Sequence, residues 1–216
     1  GSPLVRLGRF RVRVLAAARS ASALVATVMM ATLVVGPFYL ARTLGLDTAL
    51  VGIVLSVGPA VAALTGVPAG RVVDRFGSPR VAVGGLAGMV AGSSILSLVP
   101  ASLGIAGYVI PIAVITGSYS LFQVANNAAV LSDAAPDQRG VISGLLNLSR
   151  NLGLITGAGA MGAVFAGASP TGDPTSATPA DIALGMRVTF TVAATLMMVA
   201  LVITRRSQAR SSPTMS

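Results

Sequence analysis

The sequence lacks several residue types on which catalytic and metal sites depend. It contains no cysteine, histidine, lysine or glutamate, so its fifteen basic residues are all arginines and its six acidic residues are all aspartates. Without cysteine or histidine the chain lacks the usual zinc ligands and the base of a Ser–His–Asp triad. Without lysine it lacks the phosphate grip of a P-loop. We therefore expect no enzyme activity, no metal and no cofactor.

Charge of either sign is also scarce. Charged residues make up 10% of the chain and hydrophobic residues 54%, with a mean hydropathy of +0.84, whereas soluble domains carry about 25% charged residues. Residues 20–41, 48–70 and 81–132 contain no charge at all. Because a helix needs about 20 apolar residues to cross the hydrocarbon core, these runs predict an all-α integral membrane protein.

Six membrane-spanning helices fit the apolar runs. The run at 81–132 is too long for one helix at about 1.5 Å per residue, and Pro100 and Gly104 favour a turn at 99–104. The predicted spans are residues 20–41, 48–70, 81–99, 105–131, 140–166 and 182–204. Residues 1–19 then form a basic arm or linker, and residues 205–216 form a tail. The chain starts with Gly1 and Ser2 instead of methionine, so either these residues are a cloning remnant or the natural N-terminus lies upstream.

The arginines are sorted to one side of the predicted membrane. Twelve of the fifteen fall on that side, whereas Arg42 alone falls on the other. By the positive-inside rule both termini and the loop at 70–80 face the cytoplasm, as in a multi-pass protein of the plasma membrane. The net charge of +9 could also suggest nucleic acid. Because the arginines end apolar runs instead of forming a stripe on a water-facing surface, we expect no such partner.

Two predicted spans carry a stripe of polar side chains at helical spacing. The stripe on the fourth span contains Tyr119, Gln123 and Asn126, and the stripe on the fifth contains Asn147, Arg150 and Asn151. Amides are costly in lipid, so each stripe should face protein or a wet cavity. The stripes either line a substrate cavity or hydrogen-bond neighbouring helices to one another.

Arg150 is the charged member of these stripes. It follows Gly140 by ten residues, which is about 15 Å along a helix. A charge at that depth is costly and is usually functional or paired. No acid lies in the predicted membrane part of the chain, so its partner would be a carbonyl, a cytoplasmic aspartate, the substrate or another part of the protein. A structural or gating role and direct substrate contact are both open.

The fifth span also carries a surface of small residues that includes Gly153 and Gly157. Spacing of this kind allows two helix backbones to approach closely. The alternative is that the glycines form a bending point for conformational change.

The segment GRVVDRFGSPR at 70–80 resembles the signature loop of the major facilitator superfamily, Gly-x-x-x-Asp-Arg-x-Gly followed by basic residues. Gly70, Asp74, Arg75 and Gly77 match, and Arg80 retains one of the following charges. In that family the motif joins the second and third helices of a six-helix half, which is its place here. We expect both glycines to permit the tight passage between these helices. The resemblance implies a conformational latch, with Asp74 near a helix N-terminus of another half.

Residues 135–165 are similar to the penultimate helix of the fourteen-helix drug:proton antiporters of that superfamily. The matching residues are Pro136, Gly140, Ser143, Gly144, Arg150 and Gly153. The resemblance implies that this chain is a C-terminal six-helix half. Its partner would be an N-terminal half of six or eight helices, or a second copy, and the first, second, fourth and fifth helices of each half would line the substrate cavity.

These patterns predict part of a secondary active transporter that works by alternating access. The resemblance implies proton-driven efflux of drugs or small amphipathic molecules across a lipid bilayer. The alternatives are a metabolite or sugar transporter of the same superfamily, and a truncated membrane fragment that does not transport. Proton coupling usually needs a carboxylate or histidine inside the membrane. Because all six aspartates lie in predicted loops or at helix ends, we expect the proton carrier outside this chain.

Overall fold

Six long helices form most of the part of the chain that the structure describes. The structure is a computed structural model and describes residues 3–132, 134–168 and 177–209. The helices are α1 (Pro3–Phe38), α2 (Thr48–Phe76), α3 (Ser78–Leu98), α4 (Gly104–Ser132), α5 (Arg139–Gly167) and α6 (Pro179–Ala209). A π-helical turn at Tyr39–Thr43 ends α1, and a 3₁₀ turn at Ala101–Leu103 precedes α4. No strand occurs within the described ranges, so the predicted all-α fold is confirmed.

Five of these helices are long and apolar enough to cross a membrane. The qualifying segments within the described residues are Val14–Thr43, Thr48–Phe76, Ser78–Leu98, Ala101–Ser132 and Pro179–Ala209. Such runs become helices because a helix in lipid satisfies its backbone N–H and C=O groups internally. The remaining helix, α5, carries Asn147, Arg150 and Asn151 close together, along with several hydroxyl residues. Its membrane crossing stays a prediction.

The bundle is built on two groups of packed helices. One group has α1 lying along α5 and α6, and the other has α3 lying along α4 and α6, with α2 packed mainly on α4. Large side chains fill the core, among them Tyr108, Phe122 and Phe190. In contrast, only 11% of the most apolar segment of α2 is buried, against 39–50% in the other four qualifying segments. One face of the bundle therefore lacks cover within the described chain.

Glycines bring α5 against α1. A Cβ at Gly153 would overlap the carbonyl oxygen of Ala23, and a Cβ at Gly157 would lie 2.6 Å from the Cα of Thr27. The hydroxyl of Thr27 also donates a hydrogen bond to the carbonyl of Gly153, at 3.1 Å. This geometry matches close helix packing, the first of the two roles considered for these glycines.

A second glycine seam joins α3 to α4. A Cβ at Gly85 would lie 2.7 Å from the backbone nitrogen of Phe122, and a Cβ at Gly92 would lie 2.6 Å from the Cγ1 of Ile115. Neither glycine is marked by a pattern in the sequence. Glycine, alanine and serine occur on every side of α3, so the spacing of small residues alone does not identify the packed face.

The helices extend further than the predicted spans. The first begins at Pro3 instead of residue 20, and the last continues to Ala209 instead of ending at residue 204. Arginine is a favourable helix former, so the basic segments that end the apolar runs carry no signal that stops a helix. The predicted spans therefore describe the apolar cores of α1 and α6, and not their full length.

The connection between α2 and α3 is shorter than the predicted loop. The first of these helices continues through Asp74 and Arg75 to Phe76, and the next begins at Ser78. Only Gly77 lies between them, with φ +83°, a conformation that glycine adopts without strain. Gly70 lies inside α2, so the expectation that it shares in the turn is wrong.

Two of the aspartates cap helices. The Oδ1 of Asp47 accepts a hydrogen bond from the backbone nitrogen of Leu50 at 2.9 Å, at the start of α2. At the start of α6 the Oδ2 of Asp181 accepts one from the backbone nitrogen of Thr178 at 3.0 Å. Both carboxylates therefore satisfy helix N-termini, which accounts for them without a role in proton transfer.

Candidate functional site

A cavity of about 270 Å³ opens between four helices, and we name it the inner cavity. Its walls come from α1, α2, α4 and α5, the four helices that the family resemblance implied. The side chains that contribute from α1 and α4 are Met29, Met30, Thr32, Leu33, Tyr108, Ile112, Thr116 and Tyr119. From α2 come Val54, Leu55, Gly58, Pro59 and Ala62, and from α5 comes Leu154.

The inner cavity is apolar, with a few hydroxyl groups. None of the described residues that line it carries a charge. The hydroxyl of Thr32 donates to the carbonyl of Met29 at 2.7 Å, and the hydroxyl of Tyr108 reaches the carbonyl of Thr32 at 3.5 Å. The Tyr108 ring also stacks on Tyr39, with 6.0 Å between centroids. These contacts hold Tyr108 and Thr32 in place, and leave a surface of methionine, aromatic and aliphatic groups.

The polar stripe on α4 divides between two environments. Tyr119 is half-buried and lines the inner cavity. Gln123, one turn further along, is half-buried but is not part of the wall. Asn126 is buried, and its Nδ2 donates to the hydroxyl of Ser22 at 3.0 Å. That bond joins α4 to α1, which fits the role of hydrogen-bonding neighbouring helices for Asn126.

The polar stripe on α5 lies outside the inner cavity. Asn147 and Asn151 are exposed, next to exposed apolar residues such as Leu148 and Leu152. Arg150 is half-buried, and its Nε is buried without a hydrogen-bond partner among the described residues. A buried unpartnered donor costs free energy. The structure therefore leaves Arg150 with an unmet hydrogen bond within the described chain.

The charged residues of the α2–α3 connection face outward. Asp74, Arg75 and Arg80 are exposed, and the guanidinium of Arg75 lies 5.4 Å from the centre of the Phe76 ring. Asp74 forms no ion pair within the part of the chain that the structure describes. Its carboxylate is therefore available to a group that this part of the chain does not supply.

Comparison with known families identifies the fold. A sequence profile of the Major Facilitator Superfamily matches residues 18–215. The chain belongs to this superfamily. It is a multi-pass membrane protein, as its five spanning-length helices indicate.

One curated relative and one solved structure are each longer than the region that matches this chain. The Uncharacterized transporter YebQ of Escherichia coli (strain K12) is 31% identical over 122 residues, which are 56% of this chain and 27% of YebQ. A crystal structure of a variant of the peptide transporter POT in complex with sulfate superposes with a TM-score of 0.74. It covers 90% of this chain and 37% of the POT chain, at 19% identity, a likeness that shows the fold alone. The matched regions thus cover well under half the length of either protein.

The inner cavity contains residues that the sequence analysis missed. Tyr108, Ile112 and Thr116 precede Tyr119 at helical spacing and line the same wall. Continuing the α4 stripe from Tyr119 towards the start of the helix reaches these residues, whereas the predicted stripe runs from Tyr119 towards Asn126. The methionines that α1 contributes carry no comparable signal, because they are apolar residues among mostly apolar neighbours.

Proposed function

We propose that this chain is one half of a secondary active transporter that works by alternating access. The observation that supports it most directly is the inner cavity, which lies between α1, α2, α4 and α5. In a transporter of two halves, the substrate binds near the bilayer midplane where the halves meet. The inner cavity would then form this chain's share of the substrate site. Its volume of about 270 Å³ is at the lower end for ligand pockets, as expected for part of a site.

The remaining half would cover the exposed faces of α2 and α5. Ile53, Leu64 and Val67 on α2 are 64–75% exposed, and Ile155 on α5 is 71% exposed. Lipid can cover such side chains, but the unmet hydrogen bond of Arg150 needs protein or water. We infer that a six- or eight-helix half, or a second copy, lies against this face. The plasma membrane with both termini cytoplasmic is the proposed setting.

The substrate class that suits the inner cavity is a small amphipathic molecule, including drugs exported in exchange for protons. An apolar wall with methionine and two tyrosines adapts to varied hydrophobic shapes. A sugar would leave many hydroxyls unpaired against such a wall, at a cost for each. The wall contains no carboxylate among its described residues, and Asp47 and Asp181 cap helices, so this proposal places the proton carrier in the other half.

Dye efflux tests this function. We expect inverted vesicles that contain the full-length protein to accumulate a cationic amphipathic dye when a proton gradient is imposed, and to lose it with an uncoupler. Tyr119→Ala should lower the rate about twofold to tenfold, because an aromatic contact contributes about 0.5–1.5 kcal/mol. Val114→Ala is the control on the same helix, since Val114 is 39% exposed and lies outside the wall. Gradient-independent flux, or an equal loss in both variants, contradicts the proposal.

The α2–α3 connection should control the conformational equilibrium. We expect Asp74→Asn to lower transport about fivefold, because a carboxylate at a helix N-terminus contributes up to about 1–2 kcal/mol. The fraction of protein open on each side, measured by accessibility of an introduced cysteine, should shift by a similar factor. Asp137→Asn is the control, since Asp137 is an exposed aspartate in the turn before α5. If the accessibility of the introduced cysteine is unchanged in Asp74→Asn, Asp74 does not act as a conformational latch.

A further inference from the structure

A second and larger cavity lies at the end of the bundle where α1 enters and α6 leaves. We name it the terminal cavity, and its volume is about 540 Å³. Four helices line it, namely α1, α3, α4 and α6. The inner cavity shares no residue with it, so the two are separate sites.

The wall of the terminal cavity is apolar on one side and polar on the other. The apolar side consists of alanines and valines of α1, α3 and α4, such as Ala82 and Val130. The polar side belongs mainly to α6, where Arg205 and Gln208 contribute, and Asn126 of α4 adds an amide. The amide of Gln208 donates to the carbonyl of Pro79 at 3.0 Å, which holds the end of α6 against the start of α3. The cavity therefore has one apolar and one polar side, as a membrane lipid has apolar chains and a polar headgroup.

Two features of the polar side favour an oxygen-rich anion. The hydroxyl oxygen of Thr204 is buried and has no hydrogen-bond partner in the described part of the chain. Arg205 follows it directly and supplies a guanidinium that suits phosphate geometry. No acidic residue is among the described residues of the wall. A ligand that brings a negatively charged oxygen would meet both Thr204 and Arg205.

We propose that the terminal cavity binds an anionic phospholipid. Its phosphodiester lies at Arg205 and Thr204, and its glycerol and upper acyl chains lie along the alanine and valine side. Basic pockets between membrane helices hold anionic lipid headgroups. The apolar side and the volume of about 540 Å³ select a lipid over a free phosphate ion, which would leave most of the cavity empty. Neither the superfamily assignment nor the inner cavity implies this site.

Native mass spectrometry of the full-length protein in detergent tests the site. We expect phosphatidylglycerol to bind more tightly than phosphatidylcholine, and Arg205→Gln to weaken the first lipid bound about fivefold or more. Thr204→Val, which keeps the shape and removes the hydroxyl, should weaken it in the same direction. Arg205→Lys should retain part of the affinity. The matched control is Arg206→Gln, since Arg206 lies on a different surface with Met198 and Val202 and should change the affinity by less than about twofold.

Three outcomes overturn the proposal. One is equal affinity for phosphatidylglycerol and phosphatidylcholine. Another is an equal loss in Arg205→Gln and Arg206→Gln, which indicates general surface attraction. The third is displacement of the lipid by glycerol 3-phosphate at similar concentration, which indicates a site for a soluble anion. The lipid-binding experiment does not measure dye efflux. Its result is therefore valid whether or not the transport proposal is correct.

Discussion

Gly153→Ala is expected to lower the free energy of unfolding by about 1–3 kcal/mol, the usual cost of overfilling a packed contact. The new Cβ would overlap the Ala23 carbonyl oxygen and lie 2.9 Å from the Cβ of Ala26. Backbone atoms cannot rotate away as the end of a side chain can, so α1 and α5 must separate. Separation would also lengthen the bond from the Thr27 hydroxyl to the Gly153 carbonyl, now 3.1 Å. Denaturant unfolding in detergent, followed by circular dichroism, measures the effect.

Gly159→Ala is the matched control for this substitution. Gly159 lies on the same helix and is exposed, and a methyl group added there would have no neighbouring atom within 4 Å. Its replacement should therefore be neutral or stabilising by up to about 1 kcal/mol. Comparison of Gly153→Ala with Gly159→Ala also distinguishes a packing role of Gly153 from a role as a bending point. If Gly153→Ala keeps full stability but loses transport, the glycine acts as a bending point and the packing role is wrong.

The fold follows from the sequence to a large extent, because lipid restricts the backbone to few solutions. Long uncharged runs must be helices, and Gly77, the one residue between α2 and α3, has φ +83°. Helix ends were less predictable, since arginines continue α1 and α6 as favourable helix formers. The sequence also does not show which face of α3 packs against α4. Gly85, Gly88 and Gly92 meet α4, but the same helix also carries Gly84, where an added Cβ would have no atom within 4 Å.

The inner cavity was partly predictable. Tyr119 carried a polar signal within an apolar run, and it lines the wall. Asn126 carried the same signal for a different reason, since its amide bonds Ser22 on α1. A polar atom in an apolar helix indicates that something must satisfy it, and does not say whether that partner is substrate or protein. Met29 and Leu154 gave no signal, because their role depends only on the position of neighbouring helices.

Arg150→Ala is expected to reduce transport by the full-length protein about tenfold to a hundredfold. Its guanidinium Nε is buried without a partner in the described chain, and a hydrogen bond to a charged group contributes about 1.5–3 kcal/mol. No charged residue lines the inner cavity among the described residues, and Arg150 is not part of that wall. We therefore infer that its partner is a carbonyl or carboxylate of the other half, which forms the bond in one conformation and loses it in another.

The choice of replacement separates this gating role from contact with substrate. Arg150→Lys keeps the charge but not the planar fork of donors, so a gating bond should be weakened and the apparent substrate affinity left unchanged. If Arg150 touches substrate, its replacement should instead change the apparent affinity for substrate, and the change should be larger for substrates of higher charge. Asn147→Ala serves as the control, one turn earlier and exposed. If Arg150→Ala transports at the original rate with normal expression, Arg150 has neither role, and the unmet hydrogen bond of its Nε has no part in transport.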